Sequence, residues 1–157
     1  NGLRDFEFER IDLEVKTTTR DPPVVSINDP EQVCPGSKKL YLIVVQLMRF
    51  ESGYSLPDII KKIREKINDF DELVERFIML LSSIGYRESD APYYLERYKN
   101  ERIIACPIED NTMIMDPEII KNVPSSVKNI RYNLHINLLE RTITDERFWK
   151  ETIEEWL

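Results

Sequence analysis

Hydrophobic and polar residues alternate at the start of the chain and predict two short β-strands joined by a tight turn. Side chains in a strand alternate between two faces, so this pattern gives one apolar face and one charged face. A turn at Glu9-Arg10 would pair Phe6 with Leu13 and Asp5 with Glu14, although Glu-Arg is not a favoured two-residue hairpin turn. The apolar positions are Phe6, Phe8, Ile11, Leu13 and Val15.

The rest of the chain predicts a mixture of strands and helices. Residues 40–48 are nearly continuously apolar, which is typical of a central strand buried on both faces. Ser55 is placed to cap a helix with an apolar stripe at Ile59, Ile60, Ile63 and Ile67. A second helix starts near Asp69, and Gly85 is placed as its C-terminal cap. Further strands are expected at residues 24–27, 98–108 and 127–138, and a terminal helix at residues 145–157.

The order of these elements also predicts which strands pair and which helices pack together. The strand at residues 24–27 would extend the N-terminal hairpin into a meander. The strand at residues 127–138 would pair with the one around Ile103. The first two helices would pack as neighbours against the sheet. The apolar side of the second helix is Leu73, Val74, Phe77, Leu80, Leu81 and Ile84.

Composition limits the classes of protein that the chain can belong to. Its 157 residues suit a single domain, and the net charge of −7 argues against a general polyanion binder. Only Cys34 and Cys106 are present, far apart, which predicts a reducing cytoplasm and no structural zinc site. No signal peptide is visible, and no apolar run approaches the ~20 residues needed to cross a membrane. The lone His135 has no second His or Cys at ligand spacing.

The charged face of the hairpin carries candidate chemistry. Asp5 opposite Glu14 would place two side chains roughly 5 Å apart, close enough to share a hard divalent cation. Lys16, two residues further on the same face, could orient water or stabilise the phosphate during phosphodiester hydrolysis. The alternative is an ordinary half-buried hairpin, which also shows an alternating charged face.

Several sequence blocks resemble the PD-(D/E)XK nuclease superfamily. More narrowly, the order and spacing of the blocks resemble the C-terminal part of the PD-(D/E)XK proteins associated with bacterial restriction-type operons. The resemblance covers most of the chain up to about residue 140. The blocks are residues 4–6, 14–18, 31–33, 40–45, 84–86 and 130–134.

The resemblance implies a fold, a function and a site. The expected fold is α/β, a restriction-endonuclease-like mixed β-sheet with flanking helices. The expected function is Mg²⁺-dependent DNA cleavage leaving a 5′-phosphate, in restriction or phage defence, with Mn²⁺ as a substitute ion. Asp5, Glu14 and the carbonyl of Val15 would bind the metal, Lys16 would position water, and Gln32 would support the site.

Other functions stay open at this stage. Gln32 could equally be an exposed residue of a helical turn, and the hydroxyls of residues 17–19 could bind phosphate or simply reflect β-propensity. Lysines and arginines at residues 61–66 could touch DNA or form a solvated face. The chain begins abruptly at Asn1, which suggests the C-terminal fragment of a longer protein. A catalytically inactive scaffold that binds other defence subunits, or a homodimer, would fit the same pattern.

Overall fold

Two β-sheets form the framework of the protein in its computed structural model. The larger sheet has the order β1-β2-β4-β5, and the smaller sheet pairs β3 with β6. The strands are β1 (Phe6–Glu7), β2 (Ile11–Thr18), β3 (Val24–Ile27), β4 (Lys39–Tyr54), β5 (Tyr98–Ile108) and β6 (Tyr132–His135). The helices are α1 (Leu56–Ile67) and α2 (Asp71–Ser83), with 3-10 turns at Pro30–Val33, Glu88–Tyr93 and Ile136–Leu138.

The structure describes residues 4–109, 112, 114–115, 119–120, 122–124, 126–139 and 141–144. The terminal helix predicted at residues 145–157 lies outside these described residues. In the part of the chain that is described, no helix is long and apolar enough to cross a membrane.

The N-terminal hairpin has the predicted register. Phe6 pairs with Leu13 and Glu7 with Asp12 in an antiparallel ladder, and the Phe8 amide donates to the Ile11 carbonyl at 2.9 Å. On its other edge β2 runs parallel to β4. The four-stranded sheet is therefore mixed.

The charged face of β2 is the face that packs on the core. In the parallel ladder Glu14 pairs with Leu42 and Lys16 with Val44, so their side chains share one side of the sheet. Leu42, Val44 and Glu14 are all 0% exposed, whereas Phe6 on the opposite side is 53% exposed. The polar side of β2 thus points inward at Glu14, whereas Asp5 and Glu7 on the same side of the hairpin stay exposed. The core consists of Val25, Ile27, Val33, Leu40, Leu42, Val44, Ile104, Cys106, Ile108, Leu134, Ile136 and Leu139.

Two predicted pairings are wrong. β3 does not continue the meander, because β2 already has β1 on one edge and β4 on the other; β3 pairs instead with β6, Val25 opposite Leu134. The predicted strand at residues 127–138 is shorter, and it does not pair with β5. A 3-10 turn follows β6 at once, and the β5 residue Ala105 forms an antiparallel bridge with Ile143.

The chain divides into two compact units. One comprises residues 1–47 and 100–157, and the other comprises residues 48–99. In the second unit α1 begins with the predicted cap: the Ser55 hydroxyl accepts from the Asp58 amide, and the Asp58 carboxylate accepts from the Ser55 amide. Gly85 has a φ of 87°, as expected of a helix C-cap.

The apolar stripes of these helices are less buried than predicted. In α1 only Ile60 is buried, and in α2 no residue is buried. Within its unit α2 packs against α1. One neighbouring helix covers only one side, so Leu73, Leu80 and Ile84 stay exposed.

Gly53 in β4 is a position where a side chain would strongly destabilise the protein. A Cβ there would fall well inside van der Waals distance of the Tyr98 carbonyl and 2.9 Å from the Phe50 carbonyl oxygen. We expect Gly53→Ala to lower the free energy of unfolding by about 1–3 kcal/mol, as overpacking does. Gly36→Ala is the matched control, because nothing lies within 4 Å of its added Cβ. Urea unfolding of both variants measures the difference, and equal stabilities would contradict the assigned β4 geometry.

Candidate functional site

A buried carboxylate on β2 lies at the centre of the candidate site. The Glu14 side chain accepts a hydrogen bond from the Lys16 ammonium through Oε1. Its Oε2 is buried and has no hydrogen-bond partner among the described residues. Burial raises the pKa of Glu14, the charge of Asp5 acts in the same direction, and the Lys16 ammonium opposes both. Glu14 is thus a buried acid with one unused oxygen.

Lys16 joins Glu14 to the turn that carries Gln32. Its ammonium donates a second hydrogen bond to Gln32 Oε1 at 3.3 Å. Gln32 lies in the 3-10 turn Pro30–Val33, which Asp29 caps by accepting from the Glu31 amide at 3.0 Å. The structure therefore brings together three of the predicted site residues, Glu14, Lys16 and Gln32, and the Gln32 side chain contacts the site.

Asp5 reaches the same strand from the neighbouring chain segment. Asp5 lies one residue before β1 begins, and its Oδ2 accepts from the Val15 amide at 2.8 Å. The amide and carbonyl of a strand residue point to the same edge, so the Val15 carbonyl faces the edge that carries Asp5. Asp5 is also close enough for its charge to raise the pKa of Glu14. The side chains of Asp5 and Glu14 and the carbonyl of Val15 are therefore neighbours.

Arg4 is a residue of the site that the sequence did not reveal. Its guanidinium donates to the carbonyl of Glu31 and, at 2.8 Å, to the carbonyl of Cys34. These bonds tie the turn that carries Gln32 to the segment that carries Asp5. Arg4 precedes Asp5 in a block of the family resemblance, but a contact across 27 and 30 residues leaves no periodic signal in the sequence.

The donor atoms fit a hard divalent cation. The unpartnered Glu14 Oε2, the Asp5 carboxylate and the Val15 carbonyl are all oxygen donors. No group of three His, Cys, Asp or Glu side chains comes together within the described residues. Mg²⁺ needs no such group, since it is commonly held by one or two carboxylates, water and substrate phosphate. A cavity of about 510 Å³ adjoins this set of donors: Val15 and Lys16 line it, whereas Asp5 and Glu14 do not.

Other candidate residues contribute less to this site. The Thr18 hydroxyl is used structurally, donating to the Val24 carbonyl at 2.8 Å. His135 lies on β6 opposite Val24. On α1, Lys61 is 4.0 Å from Glu65, and the Lys62 ammonium lies 3.5 Å from the centre of the Tyr54 ring. These contacts favour a solvated helix face for the α1 lysines.

Comparison with known proteins identifies the family. Residues 1–137 match the family described as "Putative PD-(D/E)XK family member". No curated protein and no solved structure matches the chain. The family match confirms the predicted resemblance, and with the mixed four-stranded sheet it confirms the predicted restriction-endonuclease-like α/β fold. The chain belongs to this PD-(D/E)XK family.

Proposed function

We propose that the protein is a Mg²⁺-dependent phosphodiesterase that cleaves DNA. The observation that carries the proposal is Glu14, an acid with no exposed surface that keeps one oxygen unpartnered beside a lysine. Burying such a group destabilises the fold, because the ionised form loses its hydration. Acids in such environments are typical of functional sites.

Each residue has a role that its contacts support. Asp5, Glu14 and the Val15 carbonyl would hold Mg²⁺, or Mn²⁺ as a substitute. The bound ion supplies electrostatic stabilisation of the charge that develops on the phosphate. The Lys16 ammonium, which contacts Glu14 and Gln32, would donate a hydrogen bond to the attacking water or to a phosphate oxygen. Gln32 Oε1 accepts from Lys16 and so would keep its ammonium in place.

The biological part of the proposal is supported by the family match alone. Nucleases of the PD-(D/E)XK type act on DNA, and we propose a product with a 5′-phosphate and a role in restriction or phage defence in the cytoplasm. Association with other subunits of a defence system, or with a second copy, belongs to the same proposal. We further propose that the two compact units act together as one nuclease-like domain.

Removing the Lys16 ammonium tests the enzyme directly. We expect Lys16→Ala to reduce nicking of supercoiled plasmid in Mg²⁺ by about 10²–10⁴-fold, the usual contribution of a positioned proton-transfer or water-orienting group. Lys61→Ala is the matched control, because Lys61 is 78% exposed on α1. Agarose gels measure the rates. If folded wild-type protein does not cleave DNA and instead binds another defence subunit, the enzyme proposal is wrong and the protein is a catalytically inactive scaffold.

Metal binding can be measured without activity. A ligand that binds only the folded state at 100 times its Kd stabilises it by about 2.7 kcal/mol. We therefore expect Mg²⁺ or Mn²⁺ to raise the melting temperature of the wild type but not of Glu14→Gln. Glu65→Gln on α1 is the control and should respond like the wild type. An equal shift in Glu14→Gln would remove Glu14 from the metal site.

The raised pKa of Glu14 predicts a pH dependence in EDTA. Below the ordinary value of 4.5, Glu14 is protonated in both the folded and the unfolded chain and contributes nothing. As the pH rises above 4.5, the unfolded chain releases this proton first, so the wild type loses stability relative to Glu14→Gln. The difference becomes constant once the pH passes the folded pKa. Melting curves from pH 4 upward measure it, and a difference that moves the opposite way would contradict the assigned burial.

A further inference from the structure

An open cavity extends from Lys16 along the end of β2 toward the start of β3. Its volume is about 510 Å³, within the range of ligand pockets. None of the described residues that line it is acidic. Its polar lining residues are Lys16, Thr17, Thr18, Thr19, Arg20 and Ser26.

The charge of this cavity is opposite to that of the whole chain. The protein carries a net charge of −7, yet the charged residues among those that line the cavity are Lys16 and Arg20. The Lys16 ammonium already contacts Glu14, whereas no ion pair is formed by Arg20 among the described residues. Arg20 is therefore a cavity-lining residue whose guanidinium is not neutralised by a described acid, and a guanidinium is well suited to phosphate.

The backbone of Arg20 is held on both sides. Its amide donates to the Thr18 hydroxyl at 3.2 Å, and its carbonyl accepts from the Gln46 side-chain amide at 3.0 Å. Gln46 is 2% exposed, and its Oε1 accepts from Arg102. The carboxylate of the neighbouring acid, Asp21, lies 3.9 Å from the guanidinium of Arg102 and so pairs with that residue. The Arg20 side chain thus extends from a backbone position that hydrogen bonds hold beside the cavity.

Hydroxyl groups complete the polar lining. Thr17 and Thr19 are exposed and can donate to a phosphate oxygen. The hydroxyl of Ser26 donates to Asn133 at 2.9 Å, and that of Thr18 is engaged with the Val24 carbonyl. The hydroxyl groups that remain free to donate are therefore those of Thr17 and Thr19, which precede and follow Thr18 in the sequence.

We propose that this cavity binds a second phosphate of the substrate strand, a few nucleotides from the one that is cleaved, with Arg20 as its main contact. The inference rests on the proposed nuclease function. Lys16 and Arg20 are four positions apart in the sequence, so their Cα atoms are at most about 14 Å apart, a span within reach of a few successive phosphates of one strand. One strand can therefore occupy both positions.

The test measures DNA binding by the full chain in EDTA, where no cleavage takes place. A fluorescent duplex is titrated by anisotropy at several NaCl concentrations, with wild type, Arg20→Gln and Arg76→Gln. Arg76 lies exposed on α2 and is the matched control. We expect Arg20→Gln to weaken binding about tenfold and to make the slope of log K against log[NaCl] shallower by about 0.9, the value for one lost phosphate contact. Arg76→Gln should behave as the wild type.

The outcomes separate this proposal from the nuclease proposal. If wild type binds and Arg20→Gln matches it in affinity and slope, the cavity is not a phosphate site, whatever the cleavage assay shows. Absence of any DNA binding by the wild type would overturn it as well. If Arg20→Gln shows the expected loss but neither protein nicks plasmid in Mg²⁺, the cavity binds DNA and only the enzymatic proposal fails.

Discussion

The buried charge of Glu14 is the constraint on which the site depends. It lies on the same sheet face as Leu42, its partner in the parallel ladder, and both side chains are fully buried. Taking an ionised carboxylate out of water destabilises a protein by several kcal/mol, and one lysine offsets only part of that. The pKa of Glu14 is therefore raised, because the effect of burial exceeds that of the lysine. A fold selected for stability alone would place an apolar residue here, whereas a metal site needs an acid with an oxygen that is free to bind the ion.

Segments far apart in the sequence hold this acid in place. The parallel ladder between β2 and β4 fixes the side of the sheet on which Glu14 lies. Asp5, which lies just before β1, accepts from the Val15 amide through its side chain, so the edge of β2 carries a carboxylate at this point. Arg4 then ties the turn with Gln32 to the same segment. The site therefore depends on tertiary contacts as well as on the short acid-x-lysine motif, which occurs often by chance.

Local features of the fold were predictable, and long-range ones were not. The period-two pattern gave the register of Phe6 with Leu13, and the Ser55 cap gave the start of α1, because both depend on nearby residues. The partner of β3 depends on which edges of β2 are already occupied, and no local pattern shows that. The buried face of the hairpin was also hidden: alternation reveals two faces, but β4 decides that the one with Glu14 is covered while Phe6 stays exposed. Arg4 was missed for the same reason.

A chain with a net charge of −7 that acts on DNA, as proposed, would have to bind it through a few close contacts. At physiological ionic strength charges are screened beyond about 8 Å, so the net charge of −7 and a DNA strand repel each other mainly when they are near. At that distance the local charges decide the sign of the interaction: a divalent cation beside Asp5 and Glu14 would offset their charge, and Lys16 and Arg20 add positive charge along the cavity. A basic protein binds DNA at many places on its surface. In the proposed site, attraction would come from the cation, Lys16 and Arg20, so a strand bound there would lie next to the residues proposed for hydrolysis.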